Sequence, residues 1–152
     1  MKKALLFLCL VAACHSTSRA ERLDATGQHE KRPEKAVDDF TQAIELEPER
    51  AEFWLHRGLA RERQQDTDGA IADFTRSIAL VPRLETGSIE SNPAYLATAY
   101  FHRARARRKK LLLDLALLDL AKAEELDPGL ATAVASERDK VEVARTGKSS
   151  GD

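Results

Sequence analysis

Three short blocks of this chain share one spacing. Ala36, Phe40, Ala43 and Pro48 recur as Ala70, Phe74, Ser77 and Pro82, each 34 residues on, and again as Ala116, Leu120, Ala123 and Pro128, each a further 46 on. The second interval exceeds the first by 12, so one insertion separates the second and third units. A second series answers the first. "WLHRGLARER" starts at Trp54 and "YFHRARARRK" at Tyr100, again 46 apart. Within each block the small and apolar residues fall at spacings of three and four, which place them on one face of a helix. Each proline closes its block, because proline cannot continue a helix and disfavours helical backbone in the residue before it. A fixed period of this size marks a stack of supersecondary units, none of which buries its apolar face alone.

Composition agrees. Ala, Leu, Glu and Arg, all good helix formers, dominate, and aromatic residues are 5% of the chain. No stretch alternates with the period of a strand. The predicted class is all-α, with helices over residues 18–26, 34–46, 50–64, 68–80, 93–109, 112–126 and 129–145. The last of these carries Leu130, Ala133, Val134 and Val141 on one side and polar residues elsewhere, which suits a helix that covers the end of a stack. Lys and Arg number 24 against 25 Asp and Glu, so no excess of positive charge points to nucleic acid.

The residues Trp54, Gly58, Ala70, Phe74 and Pro82 in "AEFWLHRGLARERQQDTDGAIADFTRSIALVP", with "AVDDFTQAIELEP" and "ALLDLAKAEELDP", resemble the tetratricopeptide repeat (TPR) family. Arg61 stands where that family usually has Tyr, and Ser77 replaces an Ala. The resemblance covers residues 18–145 and is weakest over 18–28. It implies a right-handed α-helical solenoid of three helix-turn-helix units, about 19–48, 49–82 and 93–128, with an insertion near 83–92, a capping helix at 129–145 and a disordered tail at 146–152. Gly58 and Ala104 would let paired helices approach, with Phe40, Phe74 and Leu120 between them.

The same resemblance implies a concave groove, lined by the first helix of each unit, that binds an extended peptide. The groove positions are Glu52, Leu55, His56, Leu59, Glu62 and Arg63 in one unit, and Thr98, Phe101, His102, Arg105, Arg108 and Lys109 in the next. Six cations and no acid lie between Arg103 and Lys110, which favours an acidic partner. A solvated, arginine-rich face is the competing reading. The family's peptide-carboxylate clamp of Lys and Asn is not reproduced here. A second surface is "LLLDLALLDL": Leu113, Leu117 and Leu120 hold core positions of the repeat, whereas Leu111, Leu115 and Leu118 form an additional stripe. That stripe is covered either by the insertion, which supplies Leu84 and Ile89, or by self-association.

The first residues read differently. Lys2 and Lys3 precede ten apolar residues, Ala4–Ala13, too few to span a bilayer and suited to a signal peptide over 1–13. Val11-Ala12-Ala13-Cys14 resembles a bacterial lipobox, which implies lipidation at Cys14 and a tether over 14–18. His15, rather than Asp, implies the outer membrane by the same resemblance. Ordinary secretion after Ala13, or a cut after Ala20, are the alternatives. Apart from Cys14 the only cysteine is Cys9, so the mature chain would hold no disulfide.

Chemistry of a catalytic kind is not expected. "TGKS" at Thr146 lacks the phosphate-loop glycine, since Glu142 stands in its place, and no strand precedes it. His56 and His102 fall on adjacent parallel helices; a shared metal would need both rings to lean together and further ligands, so they are read as polar residues at the edge of the concave face. The expectation is a non-enzymatic, cofactor-free, lipid-anchored adaptor for a protein or peptide on the periplasmic side of a bacterial envelope. A self-associating structural subunit is the alternative.

Overall fold

The computed structural model describes residues 18–81 and 93–147. Cys14, Pro82, the insertion with Leu84 and Ile89, and the tail from residue 148 lie outside the described residues. Among the described residues the order is α1 (Arg19–His29), α2 (Pro33–Leu46), α3 (Ala51–Arg63), α4 (Thr67–Leu80), α5 (Pro93–Lys109), α6 (Leu113–Leu126), a 3₁₀ turn (Pro128–Leu130) and α7 (Ala131–Thr146). Consecutive helices run antiparallel and stack in chain order. Ser77 meets Tyr95, Thr75 meets Arg103 and Asp68 meets Lys110, which fixes the direction of α4 against α5. None of the described helices is long and apolar enough to cross a membrane.

Each helix starts and stops for a local reason. Ser18 and Glu21 form a reciprocal capping box at α1, and Asp66 accepts the Gly69 N–H at α4. Helices α2 and α6 end two residues before Pro48 and Pro128. Helices α3 and α5 end alike: Asp66 N–H bonds Arg61 O, and Leu112 N–H bonds Arg107 O, with Gln65 (φ 66°) and Leu111 (φ 59°) in the left-handed region between. That is the Schellman arrangement, with a non-glycine residue where glycine is commonest.

The helix pairs close on a small residue. A Cβ added at Gly58 would lie 2.6 Å from the Phe74 ring, and one at Gly27 would lie 2.8 Å from the Phe40 ring. Ala104 and Leu120 make the third crossing, and both are fully buried. Helix α1 therefore belongs to the repeat and extends to His29, three residues past its expected end. Its crossing residue was masked in the sequence: Gly27 precedes Gly58 by 31 residues, not 34, because only five residues separate Gly27 from Pro33 while eight separate Gly58 from Thr67.

Buried charge fixes the pairs further. Asp73, almost wholly buried, accepts two bonds from Arg57 (2.8 and 2.9 Å) and one from Arg61 (2.9 Å). Asp119 accepts the same from Arg103 (2.8 and 2.9 Å) and Arg107 (2.7 Å). The remaining guanidinium nitrogen reaches the preceding unit, Arg57 to Thr41 Oγ1 and Arg103 to Thr75 Oγ1, both at 3.2 Å. The near-identical stretches are thus two copies of one buried ionic clamp. Arg61, in place of the family's Tyr, belongs to it. Ser77, in place of Ala, donates to Ala51 O at 3.0 Å and meets Tyr95 Oη at 3.1 Å. Asp39 holds the same place in α2 but has no arginine: its Oδ2 is buried and finds no partner among the described residues.

Two outcomes test this packing. Phe74→Ala, which empties the fully buried site between α3 and α4, is expected to cost about 3–5 kcal/mol in urea unfolding; an unchanged midpoint contradicts the packing. Asp73→Ala leaves two partly buried guanidinium groups without their acid and is expected to cost up to about 3 kcal/mol, whereas Asp39→Ala removes an unpartnered oxygen and costs far less. Equal losses at the two positions refute the clamp.

Candidate functional site: the concave face

Helices α1, α3 and α5 run parallel along one side. Asp24 of α1 accepts from His56 Nδ1 of α3 at 2.6 Å and from Gln28 Nε2 at 2.6 Å. Glu62 of α3 accepts from His102 Nδ1 of α5 at 2.8 Å. An ionised carboxylate only accepts, so each imidazole donates from Nδ1. Each ring also leans on the aromatic residue of the preceding second helix, His56 on Phe40 (5.7 Å between centroids) and His102 on Phe74 (6.0 Å). The two histidines repeat a stacking contact between units. Each has its own acid, and no group of metal-ligating residues occurs among the described residues.

Between α1 and α3 lies an open cleft of about 370 Å³, lined by Gly27, Gln28, Phe40, His56, Leu59, Ala60 and Arg63. Gly27 again matters, since a side chain there would project toward the Phe40 wall. Three expected groove residues, His56, Leu59 and Arg63, therefore share one cavity. Arg63 is held by the α1–α2 turn: its guanidinium donates to Lys31 O at 2.7 Å and Glu30 O at 3.4 Å. In that turn the Arg32 backbone N–H, then the Arg32 guanidinium and Lys35, hold the Glu30 carboxyl down to about 2.

The other expected residues lie elsewhere. Leu55 is 3% exposed and packs with Ala70, Phe74 and Ala99, so it is a core residue and not a groove residue. The repeat alignment gives its position but not its burial, which follows from how closely α5 stacks on α3. Phe101 is half-buried, set edge-on to His102 and packed against the α5–α7 core. Arg108 bonds the buried Glu137 of α7 at 2.5 Å and fastens the end helix. Arg105 and Lys109 stand 3.6 and 4.0 Å from Glu62 Oε1, which accepts no hydrogen bond. Lys110 bonds Asp68 at 3.0 Å. Every one of the six cations from Arg103 to Lys110 thus faces an acid, and the basic run is largely compensated from other helices.

Burial pushes the Glu62 carboxyl up, but the His102 hydrogen bond and the charges of His102, Arg105 and Lys109 outweigh it and leave the pKa below the ordinary value. Burial likewise raises Glu137, and its bonds to Arg108 and Lys140 reverse the sign. A carboxyl depressed in the folded state stabilises above its unfolded pKa, and that contribution disappears as pH falls through the folded pKa. Glu62→Gln is therefore expected to lower stability by about 1–2 kcal/mol at neutral pH. The gap between variant and parent should hold down to the ordinary value of 4.5 and close below it. A gap that is the same in acid and at neutrality contradicts the ion pairing.

Known proteins bear on the arrangement through shape. No protein-family model matches the chain, and no curated protein matches it. Solved structures do match. The TPR2B domain of yeast Sti1, in a complex with pHsp70, superposes with a TM-score of 0.70 at 22% identity, over 83% of this chain and 98% of that one. The first TPR of Spaghetti (RPAP3), bound to the HSP90 peptide SRMEEVD, gives 0.71 at 24% identity, over 87% and 98%. The first TPR domain of human RPAP3 gives 0.70 at 23%, over 85% and 94%. The described helices have the fold of tetratricopeptide repeat domains.

Proposed function

We propose that this chain is a non-enzymatic adaptor that binds an extended segment of another protein along its concave face. The observation that carries the reading is the cleft between α1 and α3, with Leu59 and Phe40 as apolar wall and Arg63, His56 and Gln28 as polar rim. A partly apolar concavity with a few placed polar groups is the usual form of a binding site. Support comes from two similarly folded domains, one bound to the peptide SRMEEVD and one in a complex with pHsp70. An acidic segment suits the cations along the same side, Arg63 at the cleft and Arg105 and Lys109 beyond it. The lipobox-like Val11–Cys14 supports an anchor through Cys14 in a bacterial envelope, and His15 favours the periplasmic side of the outer membrane. Several acyl chains make such an anchor firm.

Two experiments test the two parts separately. For binding, fluorescent acidic heptapeptides are titrated by anisotropy. Affinity is expected to weaken as the Debye length falls from about 10 Å at 0.1 M salt to about 3 Å at 1 M. Arg63→Glu with Lys109→Glu should lower affinity at least about tenfold, or about 1.4 kcal/mol, with helicity retained at the assay temperature. Salt-independent binding that survives both reversals would put the site off this face. For the anchor, Cys14→Ser expressed in a bacterium should lose fatty-acid labelling and leave the membrane fraction; a variant that still labels and sediments with membranes sinks the lipid reading.

A further inference from the structure

Leu115 and Leu118 of α6, with Leu111 and Leu112 in the turn before it, leave apolar surface open. Leu111, Leu112, Leu115 and Leu118 are 70, 44, 43 and 67% exposed, together about two whole leucine residues of open apolar surface. Leu113, Leu117 and Leu120 already fill the core of this unit, so the repeat does not require the others. The matching residues of α4 and the turn before it are Gln65, Gly69 and Ala72. Leu111 is unfavourable for the lone chain twice over, since it exposes its side chain and adopts a left-handed backbone (φ 59°) that favours glycine. Leu115 and Leu118, three apart on α6, share one helix face, a narrow seam, and Leu111 stands in the turn that leads into it.

We propose that this seam is the docking site for a second copy of the chain, as a two-fold pair of antiparallel α6 helices. Asp114, with its side chain 84% exposed, and Lys122, 42% exposed, flank Leu118 four residues to either side. A two-fold axis at Leu118 sets Asp114 of each protomer against Lys122 of the other, and Leu115 against Ala121. The face is therefore self-complementary, as an isologous interface demands. At present these charges have only surface partners, Arg145 at 3.8 Å and Glu125 at 2.7 Å.

Other occupants fit less well. The connection 82–92, outside the described residues, is joined to the solenoid at Val81 and Pro93, at the opposite end of α5 from Leu111. Seventeen residues of α5 at about 1.5 Å each separate that end from Leu111 by roughly 25 Å. Eleven residues going out and back, at no more than about 3.5 Å each, reach roughly 20 Å and leave Leu111 uncovered. A bilayer is disfavoured by Asp114 within the seam, because a carboxylate resists entry into hydrocarbon. Ser18, from which the proposed tether leaves, is also at the far end of the stack from Leu111. The pairing does not rest on the peptide-binding reading. It leaves both concave clefts open and would give the particle two, so that a partner with repeated motifs gains avidity.

A seam this small predicts a weak, reversible dimer, to be sought over about 1–500 µM protein. Sedimentation equilibrium of the full chain in density-matched detergent should show the protein mass rise from one chain to two across that range. Leu118→Glu should hold it at one chain with unchanged circular dichroism. Leu111→Gly should weaken pairing while raising the melting temperature, because it relieves the left-handed leucine. Asp114→Lys and Lys122→Asp should each weaken pairing about tenfold, and the double exchange should restore it. A single-chain mass throughout, or association indifferent to Leu118→Glu and to the charge exchange, overturns the proposal. So does a single-chain mass joined to phosphatidylglycerol-vesicle binding that Leu118→Glu abolishes, which would make the seam a lipid surface.

Discussion

The distance at which two helices of a unit can cross controls everything stacked upon them. That distance is set by contact between one bulky residue on the second helix and a residue with little or no side chain on the first: Phe40 on Gly27, Phe74 on Gly58, Leu120 against Ala104. With the Gly58 position open, α3 and α4 close until the ring touches backbone, and Ala70 and Ser77 reach zero exposure. Added bulk at that point forces either the ring or the helix away, and neither moves cheaply in a packed interior. The next unit then has no flat surface to stack on. The first unit supports this ranking, since it keeps the glycine–phenylalanine crossing and stacks normally although it lacks the ionic clamp.

The clamp does something else. Ion pairs taken from water are weak sources of net stability, but they punish misplacement severely, because a shifted register leaves a buried charge alone. Arg57 and Arg103 each bond an aspartate of their own unit and a threonine of the unit before. One side chain therefore reports on pairing within a unit and stacking between units at once. Asp39 shows what remains when the arginines are absent: the aspartate is in place, its burial is retained, and one oxygen goes unmatched.

Much of this was legible in the spacing. Offsets of 34 and 46 identified the second helices, the first helices of two units and the insertion, and the burial of Phe74 followed from them. The stripe at Leu111, Leu115 and Leu118 was visible as residues in excess of the repeat. What escaped the sequence was whatever depends on partners far along the chain. The crossing residue of α1 is hidden from the repeat offset, since 34 residues before Gly58 is Asp24 and not Gly27. Leu55 was assigned to the groove because alignment conveys periodicity and not the depth to which a neighbour buries a position. The basic run looked uncompensated because its acids, Glu62, Asp68, Asp119 and Glu137, come from α3, α4, α6 and α7.

That compensation changes what recognition on the concave face requires. A partner carboxylate arriving at Arg105 and Lys109 does not meet free cations but two that already stand near Glu62. The contact at Glu62 Oε1 is loose, at 3.6 and 4.0 Å and without a hydrogen bond, whereas Oε2 is tightly held by His102. Rotating either cation outward therefore breaks no hydrogen bond and leaves Glu62 with its histidine. Arg103, Arg107 and Arg108 cannot respond in this way, because each closes a short bond to a buried acid. Of the three cations in this run that the alignment places in the groove, Arg105 and Lys109 are thus the two whose pairing can be exchanged for an incoming acid at little cost. Selectivity would then come from where the apolar cleft beside Leu59 positions the rest of the ligand, and charge would add to affinity only when that position brings an acid within reach of both.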